Sequence, residues 1–280
     1  MRSFQIMIVG FVLLGAGLSH AIAQEKGLVF AHRGGAYEFD ENTIAAFKAS
    51  YDAGLRGFET DVRMTKDGVL VILHDDTLQR THGNPGRVEE MTLEELRPLR
   101  TKKTDQPIPL LADLLNFLAD KPGLYVEFEM KTGKTEVYTD ELLQVYCKKI
   151  HDQVMAKHPE GSVYVFTSFD KRPLRIIKEL DPKAELMFIT SRPVSDEVVK
   201  EAKELGVHRI GCTKDGTSRA AVRAAQEAGM KVTGWPGHNL QDYLLGVGLG
   251  LDAICSDIPV AIRSEERRVG NEPRYQCAAY

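Results

Sequence analysis

Short apolar runs typical of buried β-strands alternate with segments of helical periodicity along most of this sequence. This alternation constrains the fold more than any other feature, because a strand followed by a helix about eight times is typical of a parallel β/α barrel. A doubly wound open sheet is the alternative fold for the same pattern. The strand-like runs lie at 28–31, 57–62, 69–73, 124–130, 162–167, 185–190, 207–211, 230–234 and 252–255. The helix-like segments lie at 44–53, 110–118, 139–155, 174–180, 196–205, 220–228 and 240–249.

Two successive strand-like runs have no helix-like segment between them, so the sequence contains one strand more than the strand–helix alternation requires. The runs 57–62 and 69–73 are separated by Thr65-Lys66-Asp67-Gly68, and the Asp-Gly pair predicts a hairpin. Residues 75–109 are then polar, with turn residues at 83–86 and one short helix at 93–96. We therefore predict a TIM-type (β/α)8 barrel with a short insertion after the second barrel strand.

Composition narrows the class of protein. The chain has 280 residues, a net charge of -4 and 43% hydrophobic residues, which is typical of one large globular domain. We expect no nucleic-acid partner, because the sequence lacks a broad basic field. Collagen-like and disordered classes are excluded as well. The oligomeric state is left open.

The first 23 residues have the features of an export signal. Arg2 precedes an apolar or glycine run at 6–18, and Ala21-Ile22-Ala23 matches the small-x-small pattern of a signal peptidase site. The run is shorter than the roughly 20 residues of a membrane-spanning helix. We therefore predict an exported protein, periplasmic or secreted, that begins near Gln24 and has no stable membrane insertion after cleavage. An uncleaved N-terminal anchor is the alternative.

The C-terminal end of the sequence also departs from the barrel pattern. Barrel periodicity does not continue past Ile262, and residues 263–270 resemble the translation of a common sequencing adapter. We therefore predict a barrel domain over residues 24–262, cut within its last helix, and a tail of foreign origin over residues 263–280.

The four cysteines lie at 147, 212, 255 and 277, outside any CxxC pair, which excludes structural zinc and thioredoxin-type spacings. Cys212 and Cys255 both lie near the ends of predicted strands. Either they pair in the oxidising compartment that export predicts, or they are buried thiols.

Polar residues cluster where predicted strands end, which is where a barrel of this type builds its active site. Glu59 and Asp61 of the second strand are two residues apart and therefore share one face of that strand. The third barrel strand likewise has three polar residues on one face, at positions 127, 129 and 131. These candidate residues are His32 and Arg33 after the first strand, Glu59 and Asp61, His74 and Asp75, and Glu127, Glu129 and Lys131.

Converging carboxylates repel one another, and proton uptake or a bound cation is the usual relief. Carboxylate oxygens without cysteine favour one divalent cation, Ca²⁺ or Mg²⁺. Arg33 and Lys131 could hold an anion, and two histidines could supply a proton donor and a proton acceptor. This combination indicates cleavage of a phosphodiester.

These residues lie in segments that resemble the glycerophosphodiester phosphodiesterase family. The resemblance extends over 28–259. It is carried by AHRGGAYEFDENTIAAF, GFETDVRMTKDGVLVILHDDTLQRTHG, VEFEMK, FTSFD, GW and LDAICSDIP.

The resemblance implies a TIM-type barrel, a divalent metal and a glycerophosphodiester substrate hydrolysed to glycerol 3-phosphate and an alcohol. It also implies residue roles, with Glu41 near the metal or the first catalytic loop. The implied roles are acid and base for His32 and His74, metal ligands for Glu59, Asp61 and Glu129, phosphate contacts for Arg33 and Lys131, and a wall of the substrate pocket for Trp235.

The sequence departs from the family pattern in three places. Asp40 replaces the usual proline, Pro236-Gly237-His238 replaces Thr-Val-Asn after Trp235, and Glu127 replaces a neutral polar residue. Glu127 would enlarge the anionic cluster or be a partner for Lys131 or Arg33.

Alternative interpretations remain for both the residues and the activity. Glu129 and Lys131 could form an internal ion pair, and Trp235 could be a core residue. The functional alternatives are a lipid-directed phospholipase of the same barrel type, a non-catalytic exported protein that binds glycerophosphodiesters, and a surface interaction module.

Overall fold

Eight parallel strands close into a barrel in the computed structural model, which describes residues 28–268. The ring is closed because β1 pairs with both β9 and β2. This closure confirms the predicted barrel and excludes the open sheet. The strands are β1 Leu28–Ala31, β2 Gly57–Met64, β3 Leu70–Ile72, β4 Tyr125–Met130, β5 Val163–Ser168, β6 Glu185–Ile189, β7 Arg209–Thr213, β8 Lys231–Gly237 and β9 Ala253–Ser256.

Helices follow the barrel strands and surround them, and two further short helices lie in the insertion. Short 3-10 turns at His32–Gly34 and Val88–Glu90 complete the secondary structure of the described residues. The helices are α1 Ile44–Asp52, α2 Gln79–His82, α3 Leu93–Leu96, α4 Leu111–Leu118, α5 Asp140–Ala156, α6 Lys171–Leu180, α7 Asp196–Glu204, α8 Arg219–Glu227, α9 Leu240–Leu249 and α10 Pro259–Arg268.

Local sequence explains where several of these helices begin. In each, the side chain preceding the first turn accepts a hydrogen bond from a backbone N–H that would otherwise lack a partner. The capping residues are Thr43 for α1, Thr139 for α5, Asp170 for α6, Ser195 for α7, Ser218 for α8 and Asn239 for α9.

The apolar core has two main layers. A large cluster, including Phe58, Phe128 and Ile210, fills the space between the barrel and its helices. A smaller cluster, including Phe30 and Val165, fills the barrel interior. Burial of apolar surface on both sides of the strands stabilises the barrel and leaves one end of it for polar residues.

The predicted hairpin and insertion are confirmed. β3 pairs antiparallel with β2, and the segment beyond it has its own small core, which includes Leu78, Val88 and Leu96. The buried Arg63 side chain of β2 donates hydrogen bonds to the His74 carbonyl oxygen at 2.7 Å and to Glu89 at 2.8 Å. The insertion is therefore attached to the same strand that carries the acidic pair.

The two ends of the chain are only partly described. The predicted export signal at residues 1–23 lies outside the described residues and stays a prediction. Helix α10 continues through Arg268, six residues beyond the expected domain end at Ile262. The foreign origin of the tail also stays a prediction, and residues 269–280 lie outside the described part. Between residues 28 and 268, none of the helices has the length and apolarity needed to span a bilayer.

Cys212 and Cys255 are buried free thiols. They lie on β7 and β9, with β8 between them, so the alternative disulfide is not formed. Cys277 lies outside the described residues.

The loop after β1 requires a glycine at position 34. Gly34 has φ 80°, and a Cβ there would lie 3.0 Å from the Ala46 Cβ and 3.2 Å from the Phe47 nitrogen. We expect Gly34→Ala to lower the free energy of unfolding by about 1–3 kcal/mol, because it adds backbone strain and a close contact. Urea denaturation followed by circular dichroism would measure the change.

The matched control is Gly248→Ala in α9, where a Cβ would meet no atom within 4 Å. This change should leave stability unaltered or raise it by up to about 1 kcal/mol, because alanine favours the helix. Equal stability of the two variants would contradict the explanation given for Gly34.

Candidate active site

The register between β2 and β4 brings three predicted metal ligands together. Asp61 lies directly opposite Glu129, and Glu59 lies opposite Glu127. Carboxylate oxygens of Glu59, Asp61 and Glu129 lie within 4.8 Å of one another. All three residues are at least nine-tenths buried. The sequence-based grouping of these carboxylates is therefore reproduced in space.

Two oxygens in this cluster have no hydrogen-bond partner among the described residues. They are Oε1 of Glu59 and Oδ1 of Asp61. Burial, together with the charges of Asp61 and Glu129, raises the pKa of Glu59 well above its usual value. Burial also acts to raise the pKa of Asp61, but Lys131, His74 and Arg33 outweigh it and lower the pKa. We call these two oxygens unpartnered because they accept no hydrogen bond, although Asp61 Oδ1 faces Lys131 Nζ at 3.5 Å. Buried carboxylate oxygens without hydrogen bonds are a donor set that fits a hard divalent cation.

Both predicted phosphate-binding cations border the carboxylates. The Arg33 backbone N–H donates to Glu59 at 2.9 Å, and the Arg33 Nε lies 3.5 Å from Asp61 Oδ2. Lys131 Nζ donates to Glu129 at 2.7 Å and lies 3.5 Å from Asp61 Oδ1. The internal Glu129–Lys131 ion pair is thus present, and it lies at the edge of the candidate metal site.

His32 is held by a carboxylate at the closing strand of the barrel. Its Nδ1 lies 2.5 Å from Asp257 Oδ1, and its Nε2 lies 3.9 Å from Glu59 Oε2. Burial opposes ionisation of Asp257, but its bonds and charge interactions with His32 and His238 lower its pKa. An ionised carboxylate only accepts hydrogen bonds, so the His32 proton lies on Nδ1. The Nε2 atom is then available for proton transfer.

His74 has the same kind of partner from the insertion. Its Nδ1 lies 2.7 Å from Asp75 Oδ1, and Arg80 donates to both oxygens of Asp75. Burial is the main cause that lowers the pKa of His74, with Lys131 and Arg33 acting in the same direction. Both predicted histidines therefore have Nδ1 fixed by an acidic side chain.

Three supporting residues are missing from the sequence-based site. Asn42 Nδ2 donates to Asp61 at 2.8 Å, and Arg80 bonds Glu41 as well as Asp75. Asp257, at the end of β9, is the third. The polar positions of Asn42 beside Glu41 and of Asp257 at a strand end were detectable signals. Arg80 lies in the short helix α2. Its segment contributes to the family resemblance, but the resemblance implied no role for this residue.

Glu41 lies beside the loop that follows β1, because it accepts hydrogen bonds from Arg33 of that loop and from Arg80. The catalytic role of the loop stays a prediction. Burial opposes ionisation of Glu41, but these two arginines lower its pKa. It precedes the α1 cap Thr43 and is therefore not part of the first helical turn.

Glu127 and Trp235 lie at the edges of this arrangement. Tyr125 donates to Glu127 at 2.5 Å, and burial raises the pKa of Glu127 to about 8. The raised pKa favours the neutral form of Glu127. Among the described residues its hydrogen-bond partner is Tyr125 and not Lys131 or Arg33, contrary to one of our expectations. Trp235 packs against the interior cluster and meets Phe169 edge to face at 5.6 Å. Trp235 is only partly buried and lies at the margin of the interior cluster, and its substrate contact stays a prediction.

Comparisons with known proteins identify the family and the fold. The sequence profile described as the Glycerophosphoryl diester phosphodiesterase family matches residues 32–261. A glycerophosphodiester phosphodiesterase of Caldanaerobacter subterraneus is 29% identical over 88% of this chain and 100% of its own length. One from Bacillus altitudinis is 30% identical over 85% of this chain and 98% of its own.

The solved structures that resemble this chain include an Oleispira antarctica phosphodiesterase in complex with the product sn-glycerol-3-phosphate. It superimposes with a TM-score of 0.76 at 25% identity, over 84% of this chain and 95% of that protein. The family profile covers most of the barrel, from His32 to the last helix. The chain therefore belongs to the glycerophosphoryl diester phosphodiesterase family.

Proposed function

We propose that this protein hydrolyses glycerophosphodiesters to glycerol 3-phosphate and an alcohol, with His32 and His74 as general acid and base. One observation carries the proposal: two imidazoles with fixed Nδ1 atoms flank a cluster of three buried carboxylates at the carboxyl end of the barrel. Family membership and the product-bound Oleispira phosphodiesterase support the substrate class.

Glu59, Asp61 and Glu129 would hold one divalent cation. The unpartnered oxygens of Glu59 and Asp61 support this assignment. When bound, such a cation acts as a Lewis acid on a phosphoryl oxygen and neutralises part of its charge. Ca²⁺ and Mg²⁺ both suit an all-oxygen donor set.

The basic side chains would orient the phosphate. Arg33 and Lys131 lie beside the carboxylates, where their N–H groups can donate to phosphate oxygens in charge-assisted hydrogen bonds. Because both side chains also balance the carboxylates, they would be held in place before the substrate binds. Such preorganised donors stabilise the charge that develops on the phosphoryl group.

The histidines would move the protons. One imidazole accepts the proton of the nucleophile at Nε2, and the other donates a proton to the oxygen of the departing alcohol. Asp257 and Asp75 stabilise the imidazolium form of their respective histidines and hold each ring in one orientation. Attack by water would give glycerol 3-phosphate and the alcohol directly. Attack by the neighbouring glycerol hydroxyl would expel the alcohol and leave a cyclic phosphate, which water would then open to glycerol 3-phosphate.

We predict that His32→Ala and His74→Ala each lower kcat by at least about a hundredfold, because each removes one proton-transfer group. The assay is release of glycerol 3-phosphate from glycerophosphocholine, with circular dichroism to verify folding. His208→Ala is the matched control, because His208 is exposed and lies outside the site. Wild-type turnover in either site variant would refute the proposed pair.

We further predict that Glu59→Gln, Asp61→Asn and Glu129→Gln each weaken divalent-cation binding at least about tenfold, because each removes one charged ligand. Isothermal titration of the chelator-treated protein with Ca²⁺, Mg²⁺ and Mn²⁺ in turn would measure this. Glu94→Gln, which changes an exposed carboxylate of the insertion, should bind like the wild type.

The same metal-free protein, supplied with each ion, should regain hydrolysis of glycerophosphocholine or glycerophosphoethanolamine. Failure with all three ions and both substrates would contradict the proposed reaction. Cleavage of intact phospholipid vesicles would then indicate the lipid-directed alternative, and substrate binding without turnover would indicate the binding-protein alternative.

A further inference from the structure

The Asp257 carboxylate is shared by two imidazoles. Its Oδ1 is bonded to His32 Nδ1 at 2.5 Å, and its Oδ2 is bonded to Nδ1 of His238. Asp257 is only 2% exposed, and these two bonds are the hydrogen bonds that its side chain makes with the described residues. His238 belongs to the segment that departs from the family pattern, and the proposed reaction assigns it no role.

Backbone packing places His238 beside Asp257. Gly237 of β8 lies so close to β9 that a Cβ there would be 2.5 Å from the Cys255 carbonyl oxygen. The Asp257 N–H donates to the Gly237 carbonyl oxygen at 2.8 Å. This close approach brings the residue after each strand, His238 and Asp257, to the same point on the barrel rim.

The His238 ring is also held from outside the barrel. Tyr37 stacks on it, with ring centroids 5.2 Å apart and an interplanar angle of 11°. The His238 backbone N–H donates to Asp242 at 2.8 Å, and Asp242 pairs with Lys214 at 3.0 Å. The Tyr37 N–H donates to the Asp257 carbonyl oxygen at 3.0 Å. His238 therefore has a defined orientation relative to Asp257.

The bond between His238 and Asp257 affects His32 through the carboxylate that the two imidazoles share. A buried carboxylate oxygen without a donor is costly, so loss of the His238 bond would favour rotation of the carboxylate or a change in its partners. Either change would disturb the Oδ1 atom that holds the His32 ring and its tautomer. The orientation of the His32 ring therefore depends on Oδ2 of Asp257 being held in place.

We propose that His238 is a positioning residue that acts on His32 through Asp257. The proposal rests on the acid–base role of His32 proposed above. His238 donates from Nδ1 to Oδ2 of Asp257 and thereby fixes the carboxylate plane. Asp257 in turn keeps the His32 proton on Nδ1 and its Nε2 directed to the Glu59 side of the site.

The first test is kinetic. His238→Ala should lower kcat at least about tenfold, with KM changed less than about threefold, because the bound substrate meets a misoriented His32. His238→Asn should retain kcat within about threefold, because its amide N–H can donate to Asp257. His158→Ala is the matched control: His158 is exposed and packs edge to face on Tyr164 at 4.8 Å. It should behave like the wild type.

The second test is a double-mutant cycle. In a His32→Ala background, His238→Ala should cause no further loss of kcat, because its effect passes through His32. A loss of equal size in both backgrounds would overturn the proposal. So would a change confined to KM, which would indicate a direct substrate contact.

A spectroscopic test separates this proposal from the proposed function. Nitrogen-15 NMR of the metal-free, substrate-free protein should show the His32 proton on Nδ1, and His238→Ala should mix the two tautomers or broaden the signal. An unchanged His32 spectrum in that variant would overturn the proposal. Full activity of His32→Ala, with the spectral change present, would instead refute the catalytic role of His32.

Discussion

Burial of several carboxylates at one end of the barrel is the constraint on which the rest of the site depends. Glu59, Asp61 and Glu129 lie on adjacent strands that pair residue by residue, so they cannot move apart without breaking the sheet. Burying like charges is unfavourable unless cations or protons compensate. Arg33 and Lys131 supply part of this compensation, and the unpartnered oxygens leave a place for a divalent ion.

The insertion holds the loop that carries His74 over the carboxyl end of the barrel. Arg63 of β2 binds the backbone at His74, and Arg80 bridges Asp75 to Glu41. Since Glu41 also accepts from Arg33, a continuous set of ion pairs joins the His74 loop to the His32 loop. Both imidazoles are thus attached to elements that meet at β2. The insertion therefore holds His74 next to the acidic cluster. The barrel strands without the insertion would position only His32 there.

Sequence periodicity was sufficient to predict the barrel, the hairpin and the convergence of the acidic residues, because a period of two places alternate residues on one face. It was insufficient for contacts that depend on three-dimensional closure. Asp257 lies 225 residues from His32 in sequence, and nothing local relates the two. Burial raises the pKa of Glu127 against the opposing effect of its hydrogen bond from Tyr125, and a sequence pattern does not record burial depth. Helix α10 also continued where the periodicity weakened, since Ile262, Arg263 and Glu266 remain buried.

Closure of the barrel also links folding to chemistry. His32 follows the first strand, while Asp257 follows the last, and these strands become neighbours only when β1 pairs with β9. The bond between His32 and Asp257 therefore depends on the pairing of β1 with β9. Without that pairing Asp257 would not reach Nδ1 of His32, whereas the acidic pair on β2 and the hairpin before His74 depend on other strand pairings. The acid–base role proposed for His32 therefore requires a closed barrel, because the bond to Asp257 joins the two ends of the sheet.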